Sequence, residues 1–252
     1  MRLKTRALFS LIPVAMVAPM NVGLVANPLA DGYTISIRVS DGSANGGTAI
    51  LKITPDNVRL EAADIGSVMG RGGGGGNAAM MNGAFMLPGS DGKMIVVLPN
   101  APNMMGGGGT GMALSMDLAA AAARMGAPPN MAEPTIQDLG AGENLLGYRT
   151  RKYRVTQGDN VVDLWMGDIP GIDFKKFALG FGARFSGISA RTAEKIPSGF
   201  VLKAVSSGKD AASMEVTKIE KTSFADTDFQ VPAGIQVLDM SGFMGGRGRG
   251  NQ

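Results

Sequence analysis

The sequence contains no cysteine and no histidine among its 252 residues. Without cysteine the chain has no disulfide, no thiolate for a metal or substrate, and no site for the acylated cysteine of a lipoprotein. Without histidine it lacks a common zinc ligand, the base of Ser-His and Cys-His nucleophile pairs, and the commonest general base. Carboxylates, Lys, Tyr, Ser and Thr remain, but no grouping of them is typical of a catalyst. Asp163 and Asp168, which flank Trp165, fit a solvated surface. We therefore expect a protein that is not an enzyme and that has no cofactor and no metal.

The amino terminus has the layout of an export signal. Three cations fall within the first six residues, and an apolar run over 7–26 follows them. A membrane anchor is the alternative, because the run reaches the lower end of spanning length. Two prolines and Asn21 interrupt the run and argue against an anchor. We predict a signal peptide over 1–26, cleaved near 26–30, and a periplasmic location in a Gram-negative envelope, where disulfides are optional.

The charge of the chain gives no reason to expect nucleic acid as a partner. The net charge is +3, and removal of the three cations of the leader leaves a neutral mature chain. Nucleic-acid binding needs a clustered positive face, and no such cluster occurs. The tail sequence GGRGRG (245–250) resembles an RNA-binding RGG element but has only two arginines. We predict a flexible Gly/Arg tail over 241–252.

Strand patterns run through most of the mature chain. Apolar residues alternate with polar ones, and Gly, Asp, Asn and Pro mark the turns between them. The most regular stretch, YRTRKYRVTQGDNVVDLWMGDI (148–169), predicts a hairpin that turns at 157–160. The other predicted strands are 33–39, 48–53, 57–62, 92–99, 135–140, 199–207 and 211–224.

Two segments predict helices and two predict loops. MALSMDLAAAAARM (112–125) is rich in helix-forming Ala, Leu and Met, and GIDFKKFALGFGARFSGI (171–188) spaces its phenylalanines three or four apart. The glycine tracts 69–83 and 103–111 predict flexible loops, and the first lacks the G-K-[ST] sequence of a nucleotide loop. Strands with two apolar helices fit one α+β domain over 31–240, in which a curved sheet covers the helices.

Three motifs resemble an uncharacterised family of exported bacterial proteins, a domain-of-unknown-function family. One is the early stretch GTAILKITPDNVRLEA. A hairpin motif followed by a tryptophan strand comprises Gly147, Tyr148, Thr150, Lys152, Tyr153 and Trp165. A closing motif comprises Phe229, Val231, Pro232 and Gly234, with Ile235 in place of the usual aromatic residue. The resemblance implies a mainly β fold similar to the lipoprotein carrier and receptor proteins LolA and LolB. Such a fold is an antiparallel incomplete, or half, β-barrel wrapped around one or two helices, with an apolar cavity for acyl chains.

The expected function is therefore binding of a hydrophobic ligand in a concave cavity, the ligand being a lipid, an acyl chain or an apolar segment. The hairpin residues Tyr153, Val155, Val162 and Leu164, or their neighbours one register away, would line its wall. The predicted ligand-binding residues are Met112, Met116, Phe177 and Phe181. Met112 and Met116 would share a face one helical turn apart.

Two other non-catalytic functions fit the sequence. One is a structural or interaction protein of the cell envelope, with the sheet edge or the tail as its contact. The other is a Cu(I) binder that uses thioether ligands from Met104, Met105, Met112 and Met116. The expected partners are thus a lipid or acylated ligand, or an envelope protein. We expect no nucleic acid and no transmembrane segment after cleavage.

Overall fold

A computed structural model shows that the regular secondary structure of the described chain is almost entirely β-strand. It describes residues 29–40, 47–62, 82–89, 93–102, 110–117, 134–173, 195, 197–207 and 211–240. The first six strands are β1 (Ala30–Ser40), β2 (Gly47–Ile53), β3 (Val58–Ala62), β4 (Phe85–Pro88), β5 (Lys93–Pro102) and β6 (Thr110–Asp117). The others are β7 (Thr135–Ala141), β8 (Thr150–Gln157), β9 (Asn160–Gly167), β10 (Phe200–Ser207), β11 (Ser213–Phe224) and β12 (Val237–Asp239). A 3-10 turn, Asp226–Phe229, follows β11.

The strands form one open sheet in the order β12-β6-β5-β4-β3-β2-β1-β11-β10-β9-β8-β7. It consists of two meanders, β1 to β6 and β7 to β11, which meet where β1 pairs with β11. All pairs are antiparallel except β12, which runs parallel to β6. The sheet does not close, since β12 and β7 lie at its two ends. The predicted mainly β, open antiparallel architecture is confirmed.

The β1–β11 pair at the middle of the sheet is the longest, running from Ala30 opposite Phe224 to Ser40 opposite Ser213. Thr217 is an extra residue on β11, because Ser36 faces Lys218 whereas Ile37 faces Val216. A bulge of this kind shifts the alternation of side chains by one residue. Val216 and Ile219, three residues apart, therefore both reach the same apolar side of the sheet.

One face of the sheet carries the main hydrophobic core, which extends across β1 to β6 and β8 to β11. Its side chains come from every second residue of the strands, as the pleat requires, except where irregular pairing of β10 and β11 shifts the alternation. Ile35, Leu51, Leu60, Leu164 and Leu202 are completely buried. Tyr153 and Val155 are also buried in this core and Val162 packs against it, so the predicted inward residues of the hairpin do face the core.

A smaller core lies on the opposite face and is covered by the closing motif. Phe85, Leu87, Val97 and Ala113 on β4 to β6 pack against Val231 and Ile235. Gly111 has a φ of 109°, and a side chain there would come within 3.0 Å of the Ile235 side chain. At this position, therefore, glycine provides both the backbone conformation and the space that Ile235 needs.

Arg59 attaches the end of the chain to the same outer face. Its guanidinium lies 3.6 Å from the centre of the Phe85 ring, and its Nη1 donates to the backbone oxygen of Asp228 at 3.0 Å. It also forms an ion pair with Glu61 at 2.8 Å. These contacts place the chain before the closing motif against β3 and β4.

The predicted helix over 112–125 is wrong in its first half, because Thr110–Asp117 forms β6 between β5 and β12. Helix propensity of Ala, Leu and Met was outweighed by pairing with neighbouring strands, and such tertiary override is common. Residues 118–125 lie outside the described residues, as do residues 174–188 of the second predicted helix. The signal segment 1–26, the tail 241–252 and most of both glycine tracts also lie outside them.

Candidate ligand-binding face

Methionines cluster on the core side of β4, β5 and β6. Met86 and Met94 are buried, Met112 is nearly so, and Met116 is partly buried against the same core. Met94 lies directly opposite Met116, and Met112 lies opposite Leu98. We call Met86, Met94, Met112 and Met116 the methionine face. Methionine side chains are flexible and polarizable, so such a surface adapts to ligands of different shape.

Met112 and Met116 share a face, as predicted, but for a different reason. In a strand, residues four apart point the same way because the side-chain period is two. Four strand residues span about 14 Å, whereas four helical residues rise only about 6 Å. The strand therefore replaces the predicted one-turn helical spacing of Met112 and Met116.

A pocket of about 300 Å³ opens beside the β2–β3 turn, where these two strands and β4 have their ends. Its walls are the β2–β3 turn with its flanks (53–58), Pro88 at the end of β4, and residues 171–173. Ile53, Val58 and Ile172 in these walls belong to the main core. The volume is at the lower limit of ordinary ligand pockets.

The pocket borders the methionine face through one row of the sheet. Pro88 lies directly opposite Met94 on β5, and Met94 lies opposite Met116 on β6. Neighbouring strands are about 4.8 Å apart, so Met116 lies about 10 Å from the pocket wall at Pro88.

The only tryptophan of the sequence lies on the outer face. Trp165 on β9 lies between Lys152 on β8 and Lys203 on β10. The Nζ atoms of Lys152 and Lys203 lie 4.5 and 4.9 Å from the centroid of the Trp165 ring. Both distances are within range for cation–π attraction. The row continues through Glu215 on β11 to Arg38 on β1, which pair at 2.6 Å. We call these five residues, one on each of five neighbouring strands, the Trp165 row. Two of them, Lys152 and Trp165, belong to the hairpin motif of the sequence.

Asp163 is held as a permanent carboxylate beside this row. It accepts hydrogen bonds from Arg154 Nε at 2.7 Å and Nη2 at 3.0 Å, and Lys152 Nζ lies 2.8 Å away. The Arg154 hydrogen bonds, with a smaller contribution from Lys152, lower the pKa of Asp163 to about 2 although partial burial opposes this. A general acid or base works best with a pKa near the operating pH. Asp163 therefore has a structural role.

The structure assembles only part of the predicted site. Met112 and Met116 lie on the methionine face, while Phe177 and Phe181 lie outside the described residues. Sequence reasoning missed Met86 and Met94, since only the pairing of β4, β5 and β6 brings them onto one face with Met112 and Met116. Within the described part of the chain, no group of three or more acidic residues is arranged to hold a metal ion. No helix in that part is long and apolar enough to cross a membrane.

The fold and these sites define a mainly β protein with one open sheet and an extensive apolar face. The chain belongs to the family described as Domain of unknown function (DUF4412), which matches residues 77–235. This confirms the resemblance drawn from the hairpin and closing motifs. The matched region begins after β3, although β1, β2 and β3 lie between β4 and β11 in the sheet. No curated protein matches the sequence.

Several solved structures are similar to this chain. PNGF-II in its C2 space group is 16% identical, with 83% of this chain and 31% of that chain covered and a TM-score of 0.46. This chain thus spans about a third of PNGF-II. MucB in complex with MucA(peri) is 9% identical, with 82% and 57% covered and a TM-score of 0.39. The LolA superfamily protein NE2245 from Nitrosomonas europaea is 9% identical, with 81% and 91% covered and a TM-score of 0.29.

Proposed function

We propose that the protein is a non-enzymatic periplasmic protein that binds a hydrophobic ligand at the pocket and along the methionine face. The ligand class is a lipid, an acyl chain or an apolar polypeptide segment. Export is part of the proposal: residues 1–26 serve as a signal peptide, cleaved near 26–30, and leave a domain over 31–240. The sequence has neither histidine nor cysteine for catalysis, and Asp163, the carboxylate with the largest pKa shift among the described residues, is held in ion pairs.

The adjacency of the pocket and the methionine face carries this proposal. A pocket of about 300 Å³ holds only a small group, so a longer apolar chain needs more surface. The row from Pro88 through Met94 to Met116 offers that surface. Met116 is only partly buried, and thioether side chains change rotamer readily. A ligand can therefore displace methionine side chains while the strands stay paired.

Lipid analysis of the native protein tests the proposal. The full chain would be expressed in a Gram-negative host with its own leader and purified gently from the periplasm. Native mass spectrometry and solvent extraction should then find a bound lipid or acylated molecule. Saturable binding of cis-parinaric acid, a fluorescent fatty acid, should follow after delipidation. Protein that carries no lipid and shows no saturable binding of this probe would refute the proposal.

A pair of matched variants locates the binding surface. Met116→Lys puts a charge on the methionine face and should weaken cis-parinaric acid binding about tenfold, because the cation must be desolvated against an acyl chain. Ile50→Lys makes the same kind of change on the exposed outer face of β2 and should leave binding unchanged. Circular dichroism would verify that both variants fold. Equal affinity of the two variants would rule out the methionine face.

A further inference from the structure

The two sides of β11 are occupied very differently. With β10 it forms only three residue pairs, Lys203–Val205 against Ser213–Glu215, and the Ser206 amide donates to the Ala212 oxygen at 2.8 Å at the turn. From Val216 to Phe224, β11 pairs with β1 but with no other strand among the described residues. We call this free edge, Val216–Phe224, the open side of β11.

Two bulges coincide with the point where β10 and β11 separate. On β11 the extra residue is Thr217, two residues after Glu215, the last residue that pairs with β10. On β10 it is Leu202, because Val201 faces Met166 and Lys203 faces Trp165. A bulge bends its strand and increases the local twist. Bulges on both neighbours at the same level turn the strands apart, so the gap is built into the backbone.

The end of the sheet at β7 shows what a protected edge looks like here. Leu139 is an extra residue against β8, and Gly140 has a φ of 88°. Asp138 holds this bulge by accepting from the Gly140 amide at 2.8 Å and from Arg151 Nε at 2.7 Å. Bulges of this kind prevent further strands from adding to an edge.

Beyond Thr217, by contrast, β11 is regular. It stays in continuous register with β1 from Lys218 to Phe224. In an antiparallel strand, alternate residues direct their N–H and C=O groups to opposite sides. About half of the backbone groups in this stretch therefore point towards the open side. Such a row is a template for an added strand.

We propose that the open side of β11 binds an extended segment of another protein as an added antiparallel strand. Ile219 packs at the margin of the main core, so an apolar residue opposite it would extend that core. Lys221 lies on the same face, two residues on; it is exposed and has no ion pair among the described residues. Lys218, by contrast, pairs with Glu220 at 2.8 Å. The segment should therefore read acidic, any residue, apolar, with the acidic residue opposite Lys221.

A second copy of this chain fits the open side less well. If two copies of β11 paired antiparallel with Ile219 opposite Ile219, the bulged Thr217 of one copy would lie opposite Lys221 of the other. Lys221 would then have no acidic partner across the strand pair. Pairing about Glu220 would place two glutamates opposite each other, which is unfavourable. Charge complementarity thus favours a different protein that supplies an acidic side chain. This surface is separate from the proposed lipid site, and its test is independent of that proposal.

A designed peptide tests the proposal directly. The probe is a short, fluorescently labelled peptide of alternating valine and threonine in which one valine, two residues before the central valine, is aspartate. Fluorescence anisotropy with the full protein should show saturable binding. The same peptide with lysine in place of aspartate should bind about tenfold more weakly, because opposite and like charges across a strand pair act in opposite directions. The Lys221→Glu variant of the protein should instead bind the lysine peptide more tightly than the aspartate peptide.

Two controls separate strand addition from adhesion of an apolar peptide. N-methylation of alternate amides removes the donors on one edge of the peptide and keeps its side chains, so binding through that edge should be lost. Size-exclusion chromatography with light scattering would show whether the protein is a dimer that the peptide dissociates, which would mean that a second copy occupies the edge. A dimer of that kind, absence of binding, or equal affinity of the aspartate and lysine peptides would each overturn the proposal.

Discussion

β11 is held far more extensively by a strand remote in sequence than by its neighbour in the chain. Its pairing with β1 runs over the full length of β1, whereas its hairpin with β10 has three residue pairs. The contrast extends to the side chains. Ile35 and Ile37, opposite Ile219 and Val216, are buried in the main core. Val205, opposite Ser213, is only partly buried.

The difference shows that proximity in sequence does not decide which contacts carry the stability of this sheet. By its strand pairing, the sheet consists of one part that includes β11, β1 to β6 and β12, and another that comprises β7 to β10. The main core spans both parts, and they also join through the short β10–β11 pairing and through the Trp165 row, in which Lys203 lies opposite both Trp165 and Glu215. Four experiments on the two parts follow, ordered by their expected effect on stability.

Truncation in the β1–β11 pair should have the largest effect. Ile37→Ala removes a side chain that is 2% exposed, and we expect a loss of about 3 kcal/mol in the free energy of unfolding, through lost burial and a residual cavity. Val205→Ala in the β10–β11 pair should cost about 1 kcal/mol, because less apolar area is removed from a partly buried site. Urea unfolding measures both. Equal losses would contradict the division of the sheet at β10–β11.

Asp163→Asn should remove about 1 kcal/mol at neutral pH, since the cations Lys152 and Arg154 lose their shared partner. The pKa of Asp163 falls from an ordinary 3.8 to about 2 in the folded protein. Its contribution is therefore fully present above pH 3.8 and is lost as the pH falls from 3.8 to about 2. Across this window, the free energy of unfolding should therefore change less with pH in the variant than in the native protein. Urea unfolding at a series of pH values measures this dependence.

The exposed turn residue Asp159 provides the matched control for this experiment. Asp159→Asn changes the same type of side chain in the same hairpin but outside the ion-pair cluster. Its pH profile should follow that of the native protein. A variant at Asp159 that flattened the acid transition as strongly as Asp163→Asn would show that the cluster has no special contribution.

Lys203→Met should cost about 0.5 to 1 kcal/mol, because its ammonium group leaves the Trp165 ring and its ion pair with Glu143 at 2.6 Å is lost as well. The tryptophan emission should change in the folded state, and no other tryptophan obscures it. Lys218→Met, on the exposed part of β11, is the control and should leave the emission unchanged. Identical spectra for native protein and Lys203→Met would mean that the ring and the ammonium group do not interact in solution.

Deletion of Thr217 should have the smallest effect on stability, below about 0.5 kcal/mol. The deletion regularises β11, and Val216 and Ile219 keep their places opposite Ile37 and Ile35. One hydrogen bond from Thr217 to the Ser36 oxygen, 3.3 Å long, is lost. A straighter β11 should pair further with β10, so its amides from Lys218 onward should exchange hydrogen more slowly. Unchanged exchange would show that the bulge does not cause the separation of the two strands.

Much of the sheet could be predicted from the sequence, since β1, β2, β8, β9 and β11 alternate clearly between apolar and polar residues. β6 also carries this signal, because Met112, Leu114 and Met116 alternate with Ala113, Ser115 and Asp117. Its high content of helix-forming residues suggested a helix instead. β4, with four residues, and β12, with three, are too short to give a periodic signal.

The candidate site was less predictable, because it depends on pairing between strands. Met112 and Met116 stand out within the sequence, but nothing in it places Met94 opposite Met116 or Pro88 opposite Met94. The open side of β11 depends on backbone irregularities at Leu202 and Thr217. Both residues occur commonly in regular strands, so composition gives no sign of the bulges. The closing motif was recognised as a family signature, but its packing role required the structure.

The pairing of Ala30 with Phe224 has a consequence for how the polypeptide acquires its fold. Contacts between distant residues require a costly loop closure before they stabilise the chain, and proteins dominated by them fold slowly. β1 is synthesised early, yet its strand partner β11 follows nearly all of the other strands. We therefore expect nascent chains to stay unfolded until synthesis is almost complete, which is the state that the proposed export would require.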